Sequence, residues 1–255
     1  MDSFPLQEEQ LMHRFFIDSG RSTEEAILLS EEDARHAATV LRLKTGQHIE
    51  LIGNGQRYEA EIVSADRRDF RVRTVRLLSS TEPVLSVTLF QGLPKGDKMD
   101  MIIQKATELG VFRVVPVIMN RCVARPEQSD FSRRLDRWNR IAREAAKQSG
   151  RCLVPEVLPP VLLRNLPDTD GFPGINIVPW ENTEGYGPLA FRNDHPSLLS
   201  LGILIGPEGG IEEEEIAFLR HAGFVCITLG KRILRTETAG LASVSAFMSL
   251  YGEME

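Results

Sequence analysis

Residues 201–210 read Leu-Gly-Ile-Leu-Ile-Gly-Pro-Glu-Gly-Gly, an apolar run that passes directly into a glycine-rich turn. The apolar run predicts a buried strand, and the four glutamates at 212–215 predict the first turn of a helix that ends near Ala222. Glycines at such a junction let the backbone approach a ligand closely, and open α/β sheets bind ligands at the carboxyl ends of their strands. The turn is therefore either part of a ligand site or simply a tight connection between a strand and a helix.

Strand and helix patterns alternate on both sides of this turn. Strand patterns occur at residues 84–90, 113–118, 175–178 and 224–229, and helix patterns at residues 98–109, 132–148 and from about 239 onward. Such alternation predicts an α/β domain in which helices cover both faces of a parallel sheet. We place this domain at residues 81–255, because residues 79–83 have the composition of a linker.

The first 80 residues follow a different pattern. Asn54-Gly55 lies between two strand-like runs, which is a strong hairpin signal, and the run that follows alternates with period two. A helical pattern from Glu31 to Leu41, with Ser30 as its N-cap, precedes the hairpin. Short antiparallel strands of this kind predict a small β-barrel over residues 1–80.

Composition sets limits on the class of protein. Hydrophobic residues make up 42% and charged residues 26%, and no apolar run is long enough for a membrane helix or a secretory leader, so we expect a cytoplasmic protein. The three cysteines and five histidines are scattered, so no metal site is predicted. The net charge of −6 conceals a basic region, residues 81–152, with 13 Lys and Arg against 8 Asp and Glu. That distribution is compatible with RNA binding.

Two more segments resemble the glycine-rich turn in position. Residues 229–239 read Leu-Gly-Lys-Arg-Ile-Leu-Arg-Thr-Glu-Thr-Ala and run from a strand end into a helix, and Trp180-Glu181 follows another strand. Three such strand ends together predict a pocket. The four glutamates at 212–215 make the start of their helix a poor phosphate site, so a neutral or cationic nucleoside suits it better. No phosphate-binding glycine motif is present either. The alternative is a charged loop in which Thr236 or Thr238 caps the following helix.

Residues 204–210 and 229–239 together resemble the signature of the RsmE family, which are ribosomal RNA uracil-N3 methyltransferases. Further matching stretches are His13 to Phe16, Lys95 to Asp100 and Gln104 to Gly110, in the family's order over nearly the whole chain. The resemblance implies an N-terminal PUA-like RNA-binding barrel and a C-terminal SPOUT-type domain with a trefoil knot. It also implies a homodimer, a substrate in small-subunit (16S) ribosomal RNA or its ribosomal particle, and S-adenosylmethionine as cofactor. The cofactor residues that it implies are Trp180, Glu181, Ile205, Gly206, Glu208, Gly209, Gly210, Leu229, Gly230, Ile233 and Leu234.

Methylation of uracil N3 requires loss of the N3 proton, so the enzyme must supply a base or stabilise the anion. We hypothesise that Arg235 stabilises negative charge on the uracil carbonyls. Glu237 is the first candidate for the proton acceptor and Glu208 the second. The alternative is that Arg235 and Glu237 pair with each other and have a structural role only.

N3 lies on the Watson–Crick edge, so the target base must be unpaired when it reacts. The residues that we expect to contact RNA are all cationic: Arg14, Arg42, Lys44, Arg121, Arg125 and Arg140. Phe15 and Phe16 are expected in the core of the N-terminal unit. Two other functions remain open: another SPOUT methyltransferase that acts on tRNA or on a ribose 2′-hydroxyl, and a non-catalytic RNA-binding factor in ribosome assembly.

Overall fold

A computed structural model describes residues 12–17, 27–53, 55–123 and 128–254. Contacts within the chain divide it into two compact units. The first is Met1–Thr81 together with Gly150–Leu153, and the second is Glu82–Ser149 together with Val154–Glu255. The first unit thus takes in four residues that lie well beyond position 80.

The N-terminal unit is built on a five-stranded sheet. Its strands are β1 (Arg14–Phe16), β2 (Ile27–Leu28), β3 (His48–Gly53), β4 (Gln56–Asp66) and β5 (Asp69–Leu78), in the order β1-β3-β4-β5-β2. The predicted hairpin is confirmed as the antiparallel pair β3–β4, and β1 pairs with β3 in parallel. Two register shifts between β4 and β5 bend this long ribbon, as β-bulges do, and allow the sheet to curl around one core.

The predicted helix of this unit changes geometry along its length. α1 (Glu31–Arg35) is α-helical, and His36–Val40 continues it as a π-helical turn. Ser30 is the N-cap as predicted, because its Oγ accepts a hydrogen bond from the Asp33 amide at 3.1 Å. Phe15 is in the core, but Phe16 is only half buried, so the prediction for Phe16 is wrong. The two side chains project from opposite faces of β1, and the face that carries Phe16 is covered less completely.

Glu50 is buried between two arginines in this unit. Its carboxylate is 2.8 Å from Arg14 Nε and 3.1 Å from Arg57 Nη2, and the residue is only 5% exposed. Removing one partner of a buried ion pair leaves uncompensated charge. We therefore expect Glu50→Gln to lower the free energy of unfolding of the N-terminal unit by about 2–3 kcal/mol, measured in urea.

The control for Glu50→Gln is Glu61→Gln. Glu61 lies on β4 and pairs with Arg73 at 3.1 Å, but both side chains are substantially exposed. Exposed ion pairs contribute little, so Glu61→Gln should change the free energy of unfolding by less than about 0.5 kcal/mol. Equal losses in the two variants would contradict the importance of the Glu50 cluster.

The second unit contains a seven-stranded sheet. Its strands are β6 (Ser86–Gly92), β7 (Arg113–Ile118), β8 (Glu156–Val157), β9 (Val161–Leu162), β10 (Asn176–Pro179), β11 (Ser200–Ile205) and β12 (Phe224–Ile227). The order is β12-β10-β11-β6-β7-β8, with β9 also paired to β7, and every pair is parallel. The prediction of a parallel α/β sheet is confirmed. Because all strands run in one direction, the loops after β10, β11, β12 and β6 emerge at one edge.

Helices flank this sheet. They are α2 (Lys98–Glu108), α3 (Gln128–Ser149), α4 (Pro188–Asp194), α5 (Glu213–His221) and α6 (Thr236–Leu250), with a 3-10 helix at Leu163–Asp168. Trp138, Ala142 and Ala145 of α3 are buried and form its apolar face. In the described ranges of the chain, no helix is long and apolar enough to cross a membrane.

Candidate cofactor and catalytic site

The loop Gly206–Gly210 follows β11 and packs tightly against the end of β6. A Cβ atom placed on Gly92, the last residue of β6, would lie 2.7 Å from the Pro207 nitrogen and 2.9 Å from the Gly206 carbonyl carbon. Only glycine permits this approach, because the atoms that a side chain would meet belong to backbone. The start of the loop is thus fixed by contact between two main chains.

The exit of the loop is fixed by carboxylates at the start of α5. Glu212 is the N-cap residue, and its amide donates to Glu215 Oε2 at 3.1 Å in a reciprocal capping box. Asn120, after β7, donates from its amide to Glu215 Oε1 at 2.9 Å and from Nδ2 to Glu212 Oε2 at 2.8 Å. The hydrogen bond from Asn120, with the nearby Arg121, lowers the pKa of Glu212. Two of the four glutamates therefore have a structural role.

Arg121 lies on the outer side of the same loop. Its Nη1 donates to the Gly209 carbonyl at 3.0 Å, and its Nε is 3.3 Å from Glu212 Oε1. A Cβ on Gly209 would lie 2.8 Å from Arg121 Cβ, so a glycine is required there too. The side chain remains about half exposed, which leaves part of the guanidinium accessible from solvent.

Lys98, at the first residue of α2, joins the glycine-rich loop to the start of α6. Its Nζ is 3.0 Å from Glu208 Oε1 and 3.1 Å from Glu237 Oε2, and the Lys95 amide also donates to Glu208 at 3.1 Å. Hydrogen bonds to Glu208 and Glu237 raise the pKa of Lys98. The pKa of Glu237 is lowered, first by a hydrogen bond from its own backbone amide and then by Lys98. Burial acts to raise the pKa of Glu208, but the hydrogen bonds from Lys98 and from backbone amides outweigh it and lower that pKa.

These shifts give a pH dependence with a definite sign. The stabilisation from Glu208 and Glu237 is fully present above their ordinary value of 4.5 and is lost as pH falls through their lowered values. Lys98→Met removes the shared cation and leaves two carboxylates that repel each other, so their pKa values rise. We expect ligand affinity at this loop to be flat above about pH 5 in the wild type and to vary with pH in Lys98→Met, measured by calorimetry between about pH 4 and pH 8.

The control for Lys98→Met is Lys105→Met. Lys105 lies on the same helix and pairs with Glu108 three residues away, at 2.8 Å, on an exposed surface. Its replacement should leave both affinity and pH dependence as in the wild type. If the ligand affinity of Lys98→Met does not vary with pH, Lys98 does not act as a bridge between Glu208 and Glu237.

The structure at Arg235 rules out two of the alternatives considered for this segment. The N-cap of α6 is Arg235, and neither Thr236 nor Thr238 caps the helix, so the alternative of a threonine-capped loop does not hold. Thr236 is buried instead, and its hydroxyl donates to the Gly206 carbonyl at 2.6 Å. Glu237 pairs with Lys98 and not with Arg235. Arg235 is exposed, and among the described residues it forms no ion pair.

A cavity of 720 Å³ opens between the loops after β10 and β12. Six of the predicted cofactor residues line it: Trp180, Glu181, Leu229, Gly230, Ile233 and Leu234. The glycine-rich loop does not line this cavity, and the nearest of its glycines is Gly210, where a Cβ would lie 3.8 Å from Glu181 Oε1. Ile205 is buried at the end of β11, beside Gly240 of α6.

Several residues that line the cavity were not predicted, because nothing in their local sequence indicates a binding role. Thr183, Glu184, Gly185 and Thr228 all contribute to the wall of the cavity. The two loops are held together because Trp180 donates its amide to the Ile227 carbonyl at 3.0 Å and Thr228 donates to the Tyr186 carbonyl at 2.9 Å. Outside the cavity, the Arg220 guanidinium lies 5.3 Å from the centre of the Trp180 ring and fixes its orientation. The cavity therefore combines apolar side chains with charged ones of both signs: Glu181, Glu184, Lys231 and Arg232.

The cationic residues predicted to contact RNA are dispersed. Arg14 is engaged with Glu50, whereas Lys44 is exposed and Arg42 is exposed with φ of 53°, a left-handed conformation that is uncommon outside glycine. Arg140 is exposed on α3. Arg125 lies outside the described residues. In the part of the chain that the structure describes, no group of three His, Cys, Asp or Glu residues could hold a metal ion.

The chain was compared with known protein families. The family model for an RNA methyltransferase domain matches residues 80–248, and the model for an RNA methyltransferase PUA domain matches residues 29–75. The match over residues 29–75 confirms that the N-terminal unit is of the PUA type, and the longer match covers the whole region of the cavity and the glycine-rich loop.

Similar proteins match this chain over nearly their full length. The ribosomal RNA small subunit methyltransferase E of Bacillus subtilis is 33% identical, with 92% of this chain and 95% of the relative covered. That of Aquifex aeolicus is 31% identical, with 93% and 100% covered. A crystal structure of the Neisseria gonorrhoeae enzyme bound to S-adenosylmethionine is 35% identical, covers 96% of this chain and all of its own, and superposes with a TM-score of 0.82. This chain therefore belongs to the ribosomal RNA small subunit methyltransferase E family of RNA methyltransferases.

Proposed function

We propose that this chain methylates N3 of a uridine in small-subunit ribosomal RNA and that S-adenosylmethionine is the methyl donor. The observation that supports this most directly is the cavity at the strand ends, with the exposed Arg235 next to its lining residue Leu234. The names of the relatives indicate the class of RNA, and the signature at residues 229–239 indicates the base position.

The residues present fit S-adenosylmethionine. A volume of 720 Å³ lies within the usual range for small-molecule sites. Trp180, Leu229 and Leu234 provide apolar surface for a nucleoside. Charged side chains of both signs line the same cavity, with carboxylates at Glu181 and Glu184 and cations at Lys231 and Arg232, and S-adenosylmethionine likewise carries both positive and negative groups. When bound, the cofactor supplies an electrophilic methyl group. We propose that Gly206, Gly209 and Gly210 form the adjoining wall, since Gly210 lies beside Glu181.

Arg235 is the residue that we propose for stabilising the uracil anion. A uridine is almost fully protonated at N3 near neutral pH, so stabilising its anion lowers the barrier to reaction. An arginine that forms no ion pair within the described residues keeps its positive charge available to a substrate. Its position at the N-cap of α6 also fixes its backbone, which limits the reorganisation needed for catalysis.

Glu237 and Glu208 are in the ionised state that a proton acceptor requires. However, the hydrogen bonds that lower their pKa values also make them weak bases. We therefore propose that anion stabilisation by Arg235 contributes more to the reaction than proton abstraction. In this proposal Glu237 accepts the N3 proton while Arg235 stabilises the uracil anion that forms. The ion pair between Glu237 and Lys98 holds the start of α6 in place.

RNA contact, self-association and location complete the proposal. Arg42, Lys44, Arg121 and Arg140 have the exposure that contact with phosphates requires. We also propose a homodimer, to which the exposed Leu189 on α4 contributes apolar surface, and a knotted C-terminal segment. A ribosomal RNA substrate supports the predicted cytoplasmic location.

The experiment that tests the function uses RNA from a strain that lacks the gene. Purified protein, S-adenosylmethionine and small ribosomal subunits or free RNA from that strain are incubated, and the methyl group is located by mass spectrometry. A single 3-methyluridine is expected. Methylation of a ribose hydroxyl or of tRNA would establish a different methyltransferase, and failure to bind S-adenosylmethionine would establish a non-catalytic assembly factor.

A further inference from the structure

One fully buried polar side chain lies beside the start of the glycine-rich loop. Gln91 of β6 has no exposed surface, and its register partner on β11 is Ile205, the residue before the loop. Its Nε2 donates to Thr236 Oγ1 at 2.9 Å and to the Gly92 carbonyl at 3.1 Å. Gln91 therefore contacts α6 and the strand end on which the loop rests.

The direction of these hydrogen bonds follows from the number of protons available. Thr236 has one hydroxyl proton, which is donated to the Gly206 carbonyl at 2.6 Å. The hydroxyl oxygen can then only accept from Gln91, which orients the Gln91 NH₂ group toward Thr236. The result is a one-way chain of hydrogen bonds from Gln91 through Thr236 to Gly206.

The other end of the Gln91 amide has no such partner. Its Oε1 is buried and unsatisfied within the described residues, and a Cβ on Gly240 of α6 would lie 3.1 Å from it. A buried acceptor without a hydrogen bond destabilises the fold, and an apolar side chain of the same length would avoid that loss. Stability alone therefore does not explain a glutamine at this position.

We propose that Gln91 is a positioning residue for cofactor binding, acting through Thr236. The peptide between Gly206 and Pro207 has no N–H, so the Gly206 carbonyl is its only hydrogen-bonding group. Fixing that carbonyl sets the plane of the peptide and the direction in which the backbone continues to Gly210. The inference rests on the proposed cofactor site and adds the residues that hold one of its walls.

The first test compares two substitutions at Thr236. Thr236→Val removes both hydrogen bonds at nearly constant volume, whereas Thr236→Ser keeps the hydroxyl. The dissociation constant for S-adenosylmethionine is measured by calorimetry, together with the melting temperature of each protein. Thr236→Val should weaken binding roughly tenfold, and Thr236→Ser should bind within about twofold of the wild type.

The second test reverses the chain of hydrogen bonds without changing its shape. In Gln91→Glu the carboxyl would be fully buried with no cation among the partners of residue 91, so burial raises its pKa and it still donates to Thr236 near neutral pH. Once ionised at higher pH it can only accept, and it then competes with Gly206 for the Thr236 proton, whereas Gln91→Met leaves that proton to Gly206 at every pH. Cofactor affinity should therefore fall as pH rises in Gln91→Glu and should not fall in this way in Gln91→Met.

The outcomes separate this inference from the proposed function. Wild-type affinity in a folded Thr236→Val protein, or equal and pH-independent affinity in the two Gln91 variants, would overturn the positioning role. If Thr236→Val fails to fold, the Gln91 pair decides alone. Absence of S-adenosylmethionine binding in the wild-type protein would count against the proposed function instead.

Discussion

Replacing Arg235 with alanine is expected to lower the single-turnover rate of methylation about a hundredfold or more. The physical reason is that negative charge develops on the uracil carbonyls as N3 loses its proton. Arg235, which pairs with no carboxylate among the described residues, has its charge free to stabilise it. Affinity for S-adenosylmethionine should change less than about threefold, because Arg235 does not line the cavity. The rate is measured with saturating cofactor and excess enzyme, and the affinity by calorimetry.

Two further variants sharpen that result. Arg235→Lys keeps the charge but loses the planar pair of donors, so it should recover only part of the rate. Arg164→Ala, which removes an exposed arginine from the 3-10 helix of the same unit, should retain the wild-type rate. If Arg235→Ala methylates at the wild-type rate, or loses cofactor binding in proportion to rate, Arg235 does not act on the reacting base.

The second large effect is expected from Gly92→Ala. The added methyl would lie 2.7 Å from the Pro207 nitrogen and 2.9 Å from the Ile205 carbonyl oxygen. The Ile205 oxygen belongs to the last residue of β11, which pairs with β6, and the Pro207 nitrogen belongs to the loop directly after it, so relieving the clash disturbs either the pairing of β6 with β11 or the start of the loop. We expect a loss of about 3 kcal/mol in the free energy of unfolding and at least tenfold weaker cofactor binding. Urea unfolding and calorimetry measure the two effects.

Gly174→Ala is the matched control for Gly92→Ala. Its added methyl would meet no atom within 4 Å, and Gly174 has no left-handed backbone conformation that alanine would strain. The substitution should leave both stability and cofactor affinity close to the wild-type values. Wild-type affinity in Gly92→Ala would show that the loop tolerates displacement and would contradict its role as a cofactor wall.

The local pattern of the sequence was sufficient for most of the α/β architecture. Apolar runs that end in Gly, Pro or charged residues identified β6, β7, β10, β11 and β12, and helical periodicity identified α2, α3, α5 and α6, with errors of a few residues at their ends. The strands β8 and β9 were not predicted because each has only two residues, too few to show a periodicity. α4 was not predicted either: it has only seven residues and makes too few turns for one to appear.

Only part of the candidate site could be predicted from the sequence. The loops at Trp180 and Leu229 could be predicted, because their composition changes abruptly at the strand ends. Lys98 and Gln91 could not be assigned their roles, because each lies more than a hundred residues from its partners in α6. Similarly, threonine is a residue type that often caps helices, so the sequence suggests a cap at Thr236. Its hydroxyl instead bonds the Gly206 carbonyl, because β11 approaches α6 closely in the fold.

The sequence by itself therefore determined most of the strands of the second unit and the loops that follow them, and it predicted which residues in those loops suit a nucleoside. These properties depend on neighbours within a few positions along the chain. The tertiary structure alone decided that Glu237 pairs with Lys98 and not with Arg235, and that Gly92 and Gln91 support the loop at Gly206. Hydrogen bonds and ion pairs depend on distances of about 3 Å, which strand order and packing set and local sequence does not.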